Sequence, residues 1–194
     1  MNCLKKDKGI ALFIQTESTP NPATLKFLPG RMIMAEGTAD FTSKEVALTS
    51  PLAHNLFKID GVRGVFFGSD FITVSKENPI DWMVLKPSIL GAIMEHFLTH
   101  QPLFYHEDPL SSSTDEDDPI VIQIKEILDT RIRPAVAMDG GDIVFDHFAD
   151  GIVYVRLQGA CSGCPSSSAT LKSGIENMLR HYVPEVLEVR AMEN

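Results

Sequence analysis

The apolar residues of this chain recur with two periods, and the period changes where Pro, Gly and Asp punctuate it. Residues 13–16 and 24–28 are β-branched and aromatic stretches on either side of Pro20-Asn21-Pro22, which predicts two strands and a turn. Ser50-Pro51 predicts a helix start, with Ser as N-cap and Pro at the first helical position. Leu52, Leu56 and Ile59 follow at helical spacing. Residues 61–67 and 71–75 predict two more strands, joined as a hairpin through Gly68-Ser69-Asp70. Pro87 predicts the opening of a second helix, with Ile89, Leu90, Ile93, Met94 and Phe97 on one face.

The second half is tidier. Asp118-Pro119 caps a helix whose Ile120, Val121, Ile124, Ile127, Leu128 and Ile132 form a stripe of period 3.6 facing a core. Arg131 and Arg133 suit its last turn, and Pro134 ends or kinks it. Asp139-Gly140-Gly141-Asp142 reads as a turn with two permissive glycines. Residues 143–148 and 152–157 are strands joined at Asp150-Gly151, a strong hairpin signal. A long helix after Cys164 presents Leu171, Ile175, Met178, Leu179 and Tyr182 to a core and stops at Pro184. Val186, Leu187 and Val189 suggest a last strand.

Between the halves the composition shifts. Residues 107–118 hold Glu107, Asp108, Asp115, Glu116, Asp117 and Asp118 with Pro and Ser/Thr, and Leu110 is their one large apolar residue. Such a stretch buries too little surface to offset its ordering entropy, and its charges repel one another. The expected fold class is therefore α+β, with two small α/β sandwich domains joined by a flexible acidic linker. The expected bounds are a disordered tail at 1–12, a front domain at 13–105, the linker at 106–118 and a back domain at 119–194. The back domain is near the lower size limit for independent folding and would gain from a metal or a second subunit.

Across 194 residues, 17 Lys and Arg stand against 26 Asp and Glu, a formal net charge of -9. Phosphate backbones demand a basic footprint, so nucleic acid is not an expected partner. No apolar run approaches the roughly 20 residues that cross a bilayer, so no membrane partner is expected. Three cysteines do not make a disulfide framework in a chain this long, which points to a reducing compartment. Lys5, Lys6 and Lys8 are followed by only a short apolar stretch, and no Arg precedes Arg31. These features fit neither a secretory signal nor a presequence, and the expected location is the cytoplasm.

Few residues carry candidate chemistry. His96 and His100 lie four apart, but no neighbouring Glu or Cys completes a metal set, so they read as solvated helix-end residues. Trp82 reads as packing. The informative segment is Gly159-Ala160-Cys161-Ser162-Gly163-Cys164-Pro165, set where a strand ends and a helix begins. A helix N-terminus favours thiolate over thiol, and the glycines let backbone turn closely around whatever the sulfurs hold. Three chemistries fit Cys161 and Cys164. An iron–sulfur cluster usually takes four thiolates, so one chain brings half the set and a second chain or a small thiol brings the rest. Zinc shared across a dimer needs the same arithmetic. A thiol–disulfide switch also uses a CxxC at a helix start. Against the switch, Pro here follows the second Cys, and the surrounding hairpin is not an obvious βαβ unit. Cys3 lies in the other half on the expected tail and is not counted as a ligand.

These residues resemble a known family. Asp139-Gly140-Gly141-Asp142, residues 159–167 and Thr170-Leu171-Lys172 look like the NifU C-terminal domain. Residues 19–27, Thr-Pro-Asn-Pro-Ala-Thr-Leu-Lys-Phe, and 70–74, Asp-Phe-Ile-Thr-Val, look like the N-terminal domain of Nfu-type proteins. The resemblance implies an iron–sulfur cluster scaffold or carrier rather than an enzyme. It implies a [4Fe–4S] cluster, or a [2Fe–2S] one, bridging a homodimer, with Cys161 and Cys164 as the ligands. It implies donors among the early assembly proteins and apo-enzymes as clients, lipoate synthase and respiratory enzymes among them. The front domain is expected to contribute to client choice. The members most resembled are mitochondrial and α-proteobacterial, so the expected cytoplasm is bacterial and the mitochondrial matrix is the alternative.

Overall fold

A computed structural model describes residues 13–105, 118–162 and 167–192, with side chains from 171 onward in the last segment. The expected tail at 1–12, the expected linker except Asp118, and Cys164 lie outside the described residues. Two sheets, each with its own apolar core, follow from the two halves of the sequence.

The front sheet has five strands, β1 (Gln15–Ser18), β2 (Thr24–Leu28), β3 (Ala39–Phe41), β4 (Val62–Phe67) and β5 (Ile72–Lys76), in the order β1-β2-β5-β4-β3. Every pairing is antiparallel. The β4–β5 hairpin turns at the expected Gly68-Ser69-Asp70, where the Gly68 amide donates to the Phe71 carbonyl at 2.9 Å. β3 has only three residues and no alternation of its own, which is why the sequence pattern does not announce it. Helix α1 (Pro51–Phe57) starts as expected, with the Ser50 side chain accepting from the Ala53 amide.

Helix α2 (Trp82–Leu98) begins earlier than Pro87. Asp81 caps it by accepting from the Met83 amide, and Pro87 lies inside it. One sheet face is buried under both helices: Phe27, Val65, Phe67, Ile72 and Val74 meet Leu52, Leu56, Leu85, Ile89 and Ile93. His96 continues the α2 stripe of Leu85, Ile89 and Ile93 at the next helical step. It is buried rather than solvated, and burial holds its imidazole below the usual histidine range. Met94 falls at the edge of the stripe and is exposed.

In the back half, α3 (Pro119–Ile127) is capped by Asp118 as expected. It does not end before Pro134. The helix widens into a π-helical turn at Leu128–Ile132 and resumes as α4 (Arg133–Met138), with Pro134 in its first turn where an amide is not needed. Ile124, Leu128, Ile132 and Val136, four apart throughout, stay buried across the join. Strands β6 (Gly141–Ala149) and β7 (Ile152–Gly159) form the expected antiparallel hairpin at Asp150-Gly151. Helix α5 (Ser167–Tyr182) then crosses over to β8 (Glu188–Met192), which pairs parallel to β7. Leu179 and Ile175 of α5 are core residues, whereas Met178 and Tyr182 are exposed. The β7–α5–β8 segment is therefore a βαβ unit, contrary to the sequence expectation at this place.

Strand alternation leaves the second face of the front sheet polar, with Thr24, Lys26 and Thr73 flanking Phe66. These polar residues are 3%, 7% and 1% exposed. The C-terminus of α4 and the turn into β6 cover Lys26 and Thr73. Lys26 Nζ donates to the carbonyls of Ala137 and Met138 at 3.1 and 3.2 Å, and Thr73 Oγ1 donates to Gly140 O at 2.7 Å. The front domain thus touches the domain that carries the cysteines.

Candidate functional site

Cys161 sits in the turn that leaves β7, and its position is built by glycines. The Gly159 backbone takes φ +62°, a left-handed conformation that side-chain-bearing residues resist. The Ala160 amide then donates to Gly140 O and the Ser162 amide to Gly159 O, both at 3.1 Å, which closes the turn. Gly141 lets the sulfur lie against β6: a Cβ there would fall 2.7 Å from Cys161 Sγ and 2.7 Å from the Gln158 carbonyl. The turn reading of residues 139–142 therefore understates them, because Gly141 is the floor on which the cysteine rests and Gly140 supplies the carbonyl that the Ala160 amide bonds.

The sulfur is not at an exposed junction. Cys161 is 5% exposed and belongs to the back core with Ile132, Val136 and Ile175. Beside it lies a cavity of about 480 Å³, walled by Ile132, Ala135, Val136, Leu171, Ile175 and Met178, with Arg131 and Asp139 also lining it. Pro20 of the front domain forms part of the same wall. Asn21 Nδ2 donates to the carbonyls of Ala160 and Ser162, at 3.2 and 3.4 Å. Cys161 is thus positioned by both domains, and its sequence partner Cys164 falls outside the described residues.

A second polar group anchors the base of β6. Asp142 is buried, and its carboxylate accepts from Arg133 Nε at 2.8 Å, Arg133 Nη2 at 2.7 Å and Thr38 Oγ1 at 2.7 Å. The fork of two parallel bonds holds the Arg133 guanidinium well above its ordinary range. Across the same junction, burial raises the half-buried Asp40 to about 6, partly offset by a hydrogen bond from the Gly159 backbone. Asn21, Lys26, Thr38, Asp40 and Thr73 were not singled out as functional in the sequence. Their signal was there in part: Asn21 belongs to the polar turn, and Lys26 and Thr73 to the sheet face that alternation assigns to solvent, whereas Thr38 and Asp40 lie at β3, which the pattern does not announce.

Among the described residues, no three His, Cys, Asp or Glu side chains converge to hold a metal ion. His96 and His100 are not brought to the cysteine: His96 is buried in the front core and His100 is exposed. No helix among the described residues is long and apolar enough to cross a membrane.

A five-stranded front domain and a βαβ-containing back domain with a glycine-floored cysteine turn define the class of two-domain α+β protein to which the chain belongs. Residues 14–100 match the family described as scaffold protein Nfu/NifU N terminal, and residues 124–190 match the NifU-like domain. The chain is 54% identical over 177 residues to the human NFU1 iron-sulfur cluster scaffold homolog, mitochondrial, covering 90% of this chain and 70% of that protein. It is 54% identical over 181 residues to NifU-like protein 4, mitochondrial, of Arabidopsis thaliana, covering 90% of this chain and 64% of that protein. Among solved structures, the solution NMR structure of a NifU-like protein from Saccharomyces cerevisiae matches 50% of this chain and 87% of that chain at 24% identity, with a TM-score of 0.45. The chain belongs to the Nfu/NifU scaffold family, and it spans about two-thirds of the length of the relatives it matches.

Proposed function

We propose that this chain is an iron–sulfur cluster scaffold and carrier. Two copies hold one cluster between them, [4Fe–4S] rather than [2Fe–2S], with Cys161 and Cys164 of each copy as the ligands. The observation that carries this reading is the glycine-floored turn that presents Cys161 at the start of the CxxC in a NifU-like domain. The names of the relatives, cluster scaffolds, support it. A cluster usually takes four thiolates, and one chain brings two of them from this motif. Each copy then grips only half of the cargo. Thiolates of an apo-protein client replace one pair at a time, and separation of the two copies completes the hand-over. Early assembly proteins supply the cluster. No bond in an organic substrate is made or broken, so the role is that of a carrier and not of an enzyme. The mitochondrial names of the relatives favour the mitochondrial matrix, and they lend no support to a bacterial cytoplasm.

Anaerobic reconstitution with iron and sulfide tests this. A brown dimer with about two irons per chain is expected for [4Fe–4S]. Cys161→Ser and Cys164→Ser should each abolish it, and a full cluster retained by the double variant overturns the ligand assignment. A colourless protein with stoichiometric zinc, purified anaerobically and resistant to exchange for iron, supports the zinc dimer instead.

One observation favours the thiol–disulfide reading: Cys161 lies in the turn that leaves β7, within a βαβ crossover of the kind dithiol oxidoreductases use. Turnover of a disulfide substrate by the metal-free monomer is the outcome that distinguishes it.

A further inference from the structure

The turn that carries Cys161 is gripped from outside its own domain. Asn21, itself 5% exposed, bonds the carbonyls on both sides of the cysteine. Its Oδ1 accepts from the Ala23 amide at 3.0 Å, which fixes the direction of the donating end. Thr73 and Lys26 hold the carbonyls of Gly140, Ala137 and Met138 just behind the turn. The Phe66 ring lies so close to Gly159 that a Cβ there would come within 2.9 Å of it. Asn21, Lys26 and Thr73 are all more than nine-tenths buried by this contact face.

The front domain occupies one flank of the cysteine turn: Pro20 shares the wall of the cavity beside Cys161, and Asn21 holds the main chain on both sides of it. A cluster shared with a second chain needs room around this turn that the docked front domain takes up. The contact is also of a kind that separates. Each domain keeps its own apolar core, and the junction is largely side-chain donors on main-chain carbonyls, which water replaces when the domains part.

We infer that the front domain is a detachable cover for the cysteine turn, docked on it in the cluster-free chain and displaced when cluster and second copy arrive. Its purpose rests on the scaffold reading above. Its test does not, because the test uses metal-free protein.

The full-length chain and two variants, Asn21→Ala/Thr73→Val and Lys26→Met, are treated with iodoacetamide under reducing conditions, and alkylation at Cys161 is followed by peptide fragmentation. Wild type should react slowly, and both variants at least tenfold faster. A cooperative thermal transition in each variant shows that the domains remain folded, and if the double variant does not fold, Lys26→Met decides alone. Equal rates in the wild type and the folded variants overturn the cover. Anaerobic cluster uptake is then timed on the same proteins. Faster uptake by the variants supports the cover, and unchanged uptake despite faster alkylation overturns its gating role. Failure of every protein, wild type included, to take up a cluster defeats the scaffold reading and leaves the alkylation result standing.

Discussion

Asp142 shows what one buried carboxylate demands of its neighbours. Its side chain is 4% exposed and is bonded by the Arg133 guanidinium and by the Thr38 hydroxyl of the other domain. Removing the guanidinium leaves a buried charge with one hydroxyl and backbone for company. Arg133→Ala should therefore cost about 3 kcal/mol in chemical denaturation. Arg133→Lys should recover only part of it, because an ammonium does not reproduce the two-bond fork. Asp40 makes the opposite case. It is raised to about 6 from 3.8 because burial disfavours its charge. The native state therefore takes up a proton at higher pH than the unfolded one. Its contribution to stability is fully present below pH 3.8 and is lost as pH rises through about 6. Asp40→Asn should stabilise the chain at pH 7.5, and that advantage should shrink between pH 7 and 4, as read from thermal melts across the range. A constant difference would show that the residue is not buried at the junction.

At the scale of elements, the sequence was most readable where apolar periodicity met a local signal. Ser50-Pro51, Asp118-Pro119 and Asp150-Gly151 each sit where the structure starts or turns an element. Pro87 is not the helix opening, because Asp81, the better cap, stands six residues earlier and the proline lies inside α2. For His96, position outweighs residue type: it stands on the buried stripe of Leu85, Ile89 and Ile93. The parallel β8 was hidden because a crossover pairs residues far apart in sequence, and no local pattern records parallel against antiparallel. The cysteine turn was legible in its residues but not in its burial. Gly141 tests how tightly the element is built. Gly141→Ala brings a methyl group against Cys161 Sγ and the Gln158 carbonyl. It should cost about 1–3 kcal/mol as overpacking and displace the sulfur, seen as a changed rate of Cys161 alkylation.

At the scale of the whole molecule, two domains read separately from the sequence meet over a polar face. Alternation places Lys26 and Thr73 opposite the helix-covered side of their sheet, which for an antiparallel sheet ordinarily means water. Only the second domain explains why they are buried, and such a contact between distant segments leaves no periodic trace. The junction has a lopsided chemistry. Beside the Thr38 hydroxyl on the Asp142 carboxylate, the front domain supplies Asn21, Lys26 and Thr73 as donors, and the groups that receive these three are the carbonyls of Ala137, Met138, Gly140, Ala160 and Ser162. Every residue type carries that oxygen. Over generations, the cysteine-bearing partner is free to drift in side chain at Ala137 and Met138 without losing this grip. Inherited change at the three donors breaks it at once, so the burden of keeping the two halves matched leans on the front half, with Asp142, which accepts from Thr38, as a side chain of the back half that shares it.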